Sequence, residues 1–197
     1  MDPATGDPQG YLPDGTVSKD YAALLSVAPK QLIYHGPARP PFFGSIRNTF
    51  SWKNISLSAG LAFRLGYYFH QPSVNYSTLF STWNGNKDYA QRWQKPGDER
   101  ITNVPSLVYP ANPNRDAFYG GAQSLVAKAD HIRLQDLTLS CELSKKNWTV
   151  LPLQQLRLYL YANNLGLLWT ANQKGTDPES PLLPAARTIA IGINATF

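Results

Sequence analysis

From Ile55 to Leu65 every second residue is apolar. Ile55, Leu57, Ala59, Leu61, Phe63 and Leu65 form one row, and Ser56, Ser58, Gly60, Ala62 and Arg64 form the other. A period of two sorts side chains onto opposite faces of a β-strand and onto no single face of a helix. The run is about twice the usual strand length of about 5–6 residues. It suffices to cross a bilayer as a tilted strand, which takes about 9–11 residues. The same pattern recurs four times. Ile46, Asn48, Phe50 and Trp52 alternate with Arg47, Thr49 and Ser51. Ile132 and Leu134 share one phase, and Leu137, Leu139, Cys141 and Leu143 the other. The slip at Gln135-Asp136 predicts a β-bulge, because one extra residue restores facing. Leu156, Leu158, Leu160 and Ala162 alternate with Arg157, Tyr159, Tyr161 and Asn163. Last, Ile189, Ile191, Ile193, Ala195 and Phe197 alternate with Thr188, Ala190, Gly192, Asn194 and Thr196.

The connections between these five strands are unequal. Lys53-Asn54 is a tight turn, which makes residues 45–69 a hairpin. Residues 70–125 are a long polar loop rich in Tyr, Trp, Asn, Pro and Gly. The turn at 144–152 is of moderate length, and GTDPESPLLP is a second polar loop before the strand that begins at Arg187. Residues 1–44 read as loop, punctuated by Asp7-Pro8, Pro13-Asp14-Gly15 and Arg39-Pro40-Pro41. Within them SKDYAALLSVA predicts one short helix with Ser18 as N-cap. Transmembrane barrels carry short turns on the periplasmic side and long loops outside. On that rule 1–44 and 70–125 are extracellular, residues 126–197 hold the last three strands, and the final strand runs inward. The expected fold is all-β, a partial and incomplete antiparallel transmembrane β-barrel of about five long strands. The competing reading is a soluble β-sandwich, its apolar rows packed on each other and its aromatic loop binding carbohydrate.

Composition removes several alternatives. With 16 Pro, 14 Gly and only 16% charged residues, the chain suits strands joined by turn-rich loops. The net charge of +5 comes from scattered Lys and Arg rather than a dense run, which argues against a nucleic-acid partner. One cysteine, Cys141, allows no intramolecular disulfide and reads as a small hydrophobe in an apolar row. The opening DPATGDPQGYLPDG is not a secretory signal. The absence of about 18 consecutive apolar residues excludes a helical span only. His35, His70 and His131 stand far apart, with no ligand spacing around them, so no metal is expected. Neither a phosphate-binding Gly loop nor a nucleophile–base constellation is present, so neither a cofactor nor enzymatic activity is expected.

Six stretches in order then resemble one family. They are YHGPARPPFFGSIRNTFSWKNISLS, RWQKPGDE, DHIRLQDLTLS, LRLYLYANNLGLLW, TDPES and PAARTIAIGINATF. The chain resembles the C-terminal part of SusC/RagA-type TonB-dependent outer-membrane transporters. The resemblance implies a barrel of about 22 strands with a plugged lumen. It implies import of glycans or peptides across the outer membrane of a Gram-negative cell. The implied partners are the remaining barrel and plug, outer-membrane lipid, a SusD-like lipoprotein lid, and TonB acting through an N-terminal part not in this chain. A gene fragment, truncated product or split transporter is therefore expected. The resemblance also makes the closing strand with Ile191, Ile193 and Phe197 part of an assembly signal.

Two groups of loop residues stand out. Trp93, Pro96, Gly97 and Asp98 are expected to fold the long loop, as a Pro-Gly-Asp turn anchored by the indole. Tyr76, Trp83, Tyr89 and Tyr109 are expected as exposed contacts to ligand or lid. Arg47, Arg64 and Arg157 fall in the polar rows and are expected to face the lumen, where they meet plug carboxylates. A lipid-facing Arg at the bilayer midplane would cost about 2–4 kcal/mol.

Overall fold

The computed structural model describes residues 1–145 and 153–197. The turn expected at 144–152 lies outside the described residues from 146 onward. Five long strands form one antiparallel sheet: β1 (Phe42–Trp52), β2 (Ile55–Leu65), β3 (His131–Ser144), β4 (Gln155–Thr170) and β5 (Thr188–Thr196), in sequential order. The protein is all-β in its main sheet, and the described strands do not close into a barrel. Strand β1 begins three residues before the expected Ser45. The two-residue turn places Lys53 in the left-handed region (φ 54°), with its ammonium 4.9 Å from the Trp52 ring centroid.

Register keeps each row intact across strands. Leu57 lies beside Leu139, and Leu139 beside Leu160, which neighbours Ile191. The bulge expected at Gln135-Asp136 is present: Leu61 pairs with Leu134 and Gly60 with Asp136, which leaves Gln135 out of the ladder. Strand β4 runs seven residues beyond Asn163, the last residue of the alternation read from the sequence. Asn164 (φ 56°) and Gly166 (φ 127°) break the alternation there, so the period-two reading stops although pairing with β3 resumes.

The chain divides into two compact units. The sheet unit comprises Pro37–Tyr68 and Lys128–Phe197, and the loop unit Met1–Gly36 and Phe69–Ala127. The loop unit is a folded body with its own core of Val74, Tyr76, Val104, Tyr119 and Leu125. It carries α1 (Tyr21–Leu25), α2 (Tyr76–Thr82) and α3 (Pro113–Gly120). Asp20, not Ser18, caps α1: its carboxylate accepts from Ala23 N–H at 3.1 Å, while Ser18 Oγ accepts from Asp20 N–H at 3.0 Å. The expected helix is therefore shorter at its start. Asn75 and Asn112 cap α2 and α3 in the same way.

Candidate functional site

The polar face of the sheet is built from side chains that satisfy one another. Thr49 donates to Ser58 at 3.0 Å, and Ser51 and Ser56 share a 2.8 Å bond, each across one register pair. Arg47, Gly60 and Asp136 lie on one register line. Arg47 reaches over Gly60 and grips Asp136 with two parallel bonds of 2.7 and 2.8 Å. Fork-to-carboxylate geometry of this kind is charge-assisted on both bonds. Gly60 is required here: a Cβ would stand 2.6 Å from the Asp136 carboxylate and 3.2 Å from Arg47 Nη2.

Further along the same sheet, Arg133 (side chain 5% exposed) contacts Asp177 at 2.5 Å, Glu179 at 2.8 Å and Asn164 at 2.8 Å. Glu179 also pairs with Arg64 and lies 3.7 Å from His131 Nε2. The Asp-Pro-Glu loop is thereby pinned to the sheet. The three polar-row arginines, expected to meet carboxylates of a plug, differ in their partners within this chain. Arg47 and Arg64 already hold in-chain carboxylates, and among the described residues only Arg157 of the three has no ion pair.

In the loop unit, Pro96 and Gly97 (φ 104°) occupy the positions that a type II turn reserves for proline and glycine. Asp98 N–H closes the turn on Lys95 O at 3.1 Å. The Asp98 carboxylate accepts from Gln94 and Lys95 N–H at 3.0 and 3.1 Å. Glu99 accepts from Gly97 N–H at 2.8 Å and from the Trp93 indole at 3.3 Å. Its own backbone N–H, then those of Gly97 and the indole, hold its carboxyl below the usual range. Trp93 is buried, its ring pressed on Gly6 so closely that a Cβ there would come within 2.4 Å. Arg115 binds Asp7 at 2.8 Å and Ser106 O at 2.9 Å, so the N-terminal segment is stitched to the long insertion.

The four aromatic candidates separate. Trp83 (87% exposed) and Tyr109 (80%) stand in solvent. Tyr76 does not: it is 2% exposed, and its hydroxyl donates to Pro105 O at 2.6 Å. The expectation of a ligand contact at Tyr76 is corrected, because its position at the start of α2 turns the ring into the core. Burial pushes its phenol well above the ordinary tyrosine value. Tyr89 is half-buried against Tyr76 and carries the Arg92 guanidinium 4.2 Å above its ring. Ile191, Ile193 and Phe197 are exposed along the apolar face and edge of β5. Among the described residues no three His, Cys, Asp or Glu side chains are grouped as a metal site would require. Sequence reasoning missed Asp136, Asp177 and Glu179 as arginine partners. Each lies at a bulge or in a loop, where no periodicity announces facing.

No family model matches the sequence, and no curated protein matches it. Solved structures do. The RagAB peptide importer in an open-open state matches with TM-score 0.64 at 23% identity, over 100% of this chain and 21% of that chain. Its closed-closed state gives 0.66 at 23% over 22% of that chain, and the RagAB peptide transporter 0.63 at 21% over 21%. The chain has the fold of part of a RagAB transporter chain. It spans about a fifth of the length of those chains. Both units fall within the likeness, since all of this chain is covered.

Proposed function

We propose that this chain forms part of the barrel wall of a SusC/RagA-type, TonB-dependent nutrient importer in the outer membrane. One observation carries the reading. A single antiparallel sheet presents an open apolar face, with Ile46, Phe50, Ile189, Ile191 and Ile193 exposed, opposite a face of paired arginines, carboxylates and hydroxyls. Lipid suits the first face and a wet lumen the second. A soluble sandwich would cover the apolar rows with a second sheet. Among the described residues the remaining strands are pieces of two or three residues. The likeness to a peptide importer makes peptides a natural cargo, with glycans as the other class. A SusD-like lipoprotein would close over the loop unit, where Trp83 and Tyr109 offer aromatic faces to cargo or lid. The role is transport, without bond-making chemistry.

Cell fractionation and uptake test this together. The protein is expected in the outer membrane, resistant to carbonate extraction. Deleting its gene is expected to abolish TonB-dependent uptake of a peptide or glycan class. A carbonate-soluble protein would overturn the reading.

A further inference from the structure

Two openings of the loop unit, of about 380 and 620 Å³, share Arg92 and Gln94 on their rims. Arg92 is held in place without being neutralised. Its guanidinium lies on the Tyr89 ring, and Nη1 donates to Tyr89 O at 3.2 Å. No carboxylate pairs with it among the described residues, so most of its five donors are unspent. Lys95, on the rim of the larger opening, likewise has no carboxylate partner there. The two acids that line these openings are committed: Asp7 binds Arg115, and Asp98 accepts the backbone N–H groups of Gln94 and Lys95. A guanidinium oriented by stacking, with a second cation close in the chain, suits a planar carboxylate held in a bidentate manner. Resting on the importer reading above, we infer that this groove binds a carboxylate-bearing solute through Arg92, with Lys95 adding a second charge contact. The shared chemistry is that of an acidic oligopeptide or a uronate oligosaccharide.

Titration calorimetry on the full-length transporter in detergent tests the site, with pentaglutamate, trigalacturonate and their neutral counterparts as probes. At least one acidic probe is expected to bind, more weakly as salt rises. Arg92→Gln is expected to weaken it about tenfold or more, the scale of one lost charge-assisted pair. Lys95→Gln should have a smaller effect, and Arg92→Lys should recover part of the loss. Whichever acidic probe binds identifies the source. Wild-type protein that binds neither acidic probe, or an Arg92→Gln variant that binds as wild type, overturns the inference. Either result leaves the importer reading intact if the protein still resides in the outer membrane and carries neutral cargo.

Discussion

Gly60 stands where any side chain would collide with an ion pair, since a Cβ there would come 2.6 Å from the Asp136 carboxylate. Its missing Cβ lets Arg47 cross a strand to reach Asp136, whose side chain is otherwise buried. Gly60→Val is expected to destabilise the sheet by about 1–3 kcal/mol through overpacking. Arg47→Met is expected to destabilise the sheet as well, because the Asp136 carboxylate loses both its donors. Because both changes break one pair, the double variant should cost clearly less than their sum. Urea unfolding of the four proteins in detergent measures this, and strict additivity would refute the shared role. A second glycine, Gly192, lies under the Tyr159 ring, where a Cβ would come within 2.1 Å of it. The ring covers the gap that glycine leaves in β5.

Among the elements, the Asp-Pro-Glu loop and the helical core respond to different perturbations. Arg133→Met removes the cation that Asp177 and Glu179 share. The segment 171–187 should then become cleavable by added protease while the strands stay intact; unchanged resistance would show that the ion pairs do not hold it. The loop-unit core is sensitive to alkali instead. Burial first, offset by the Ser73 hydrogen bond, pushes the Tyr119 phenol up to about 12. Its unfolded value is about 10. The folded form therefore has the full contribution below pH about 10 and loses it as pH rises towards about 12. Tyrosinate absorbance and tertiary circular dichroism should change together in that window, and Tyr119→Phe should remove part of the change. A loop unit unaffected up to pH about 12 would contradict the buried phenol. These elements were not equally legible beforehand. Strands announce themselves because half-burial repeats every two residues, so the rows of β2 and β5 and the bulge at Gln135 could be read directly. The loop unit could not. Its helices are of five to eight residues, and its core gathers Val74, Val104 and Leu125 from positions with no common period. Asn75 and Asn112 cap two of these helices, but a capped turn without an amphipathic run gives no facing. Tyr76 was misread for that reason.

For the molecule as a whole, the decisive property is that one sheet has two incompatible faces. Ile191 neighbours Leu160 on the apolar face and is 81% exposed, while the adjacent Ala190 points to the polar face opposite Tyr161. The two positions lie at nearly the same depth along β5, so one substitution at each separates facing from depth. In a lipid-embedded wall, Ile191→Arg places a guanidinium in hydrocarbon at a cost of about 2–4 kcal/mol near the midplane. Ala190→Arg places the same group in a wet lumen, where Arg157 already stands without a carboxylate partner among the described residues. Membranes from cells producing each variant should therefore contain much less folded Ile191→Arg protein, with Ala190→Arg close to wild type. The folded fraction is read from the heat-dependent shift in gel mobility. A soluble protein whose apolar face is covered by another polypeptide would also suffer from Ile191→Arg, yet it would not resist carbonate extraction. Equal tolerance of the two arginines would remove the basis for a lipid-facing row, and with it the case that this sheet is a membrane wall.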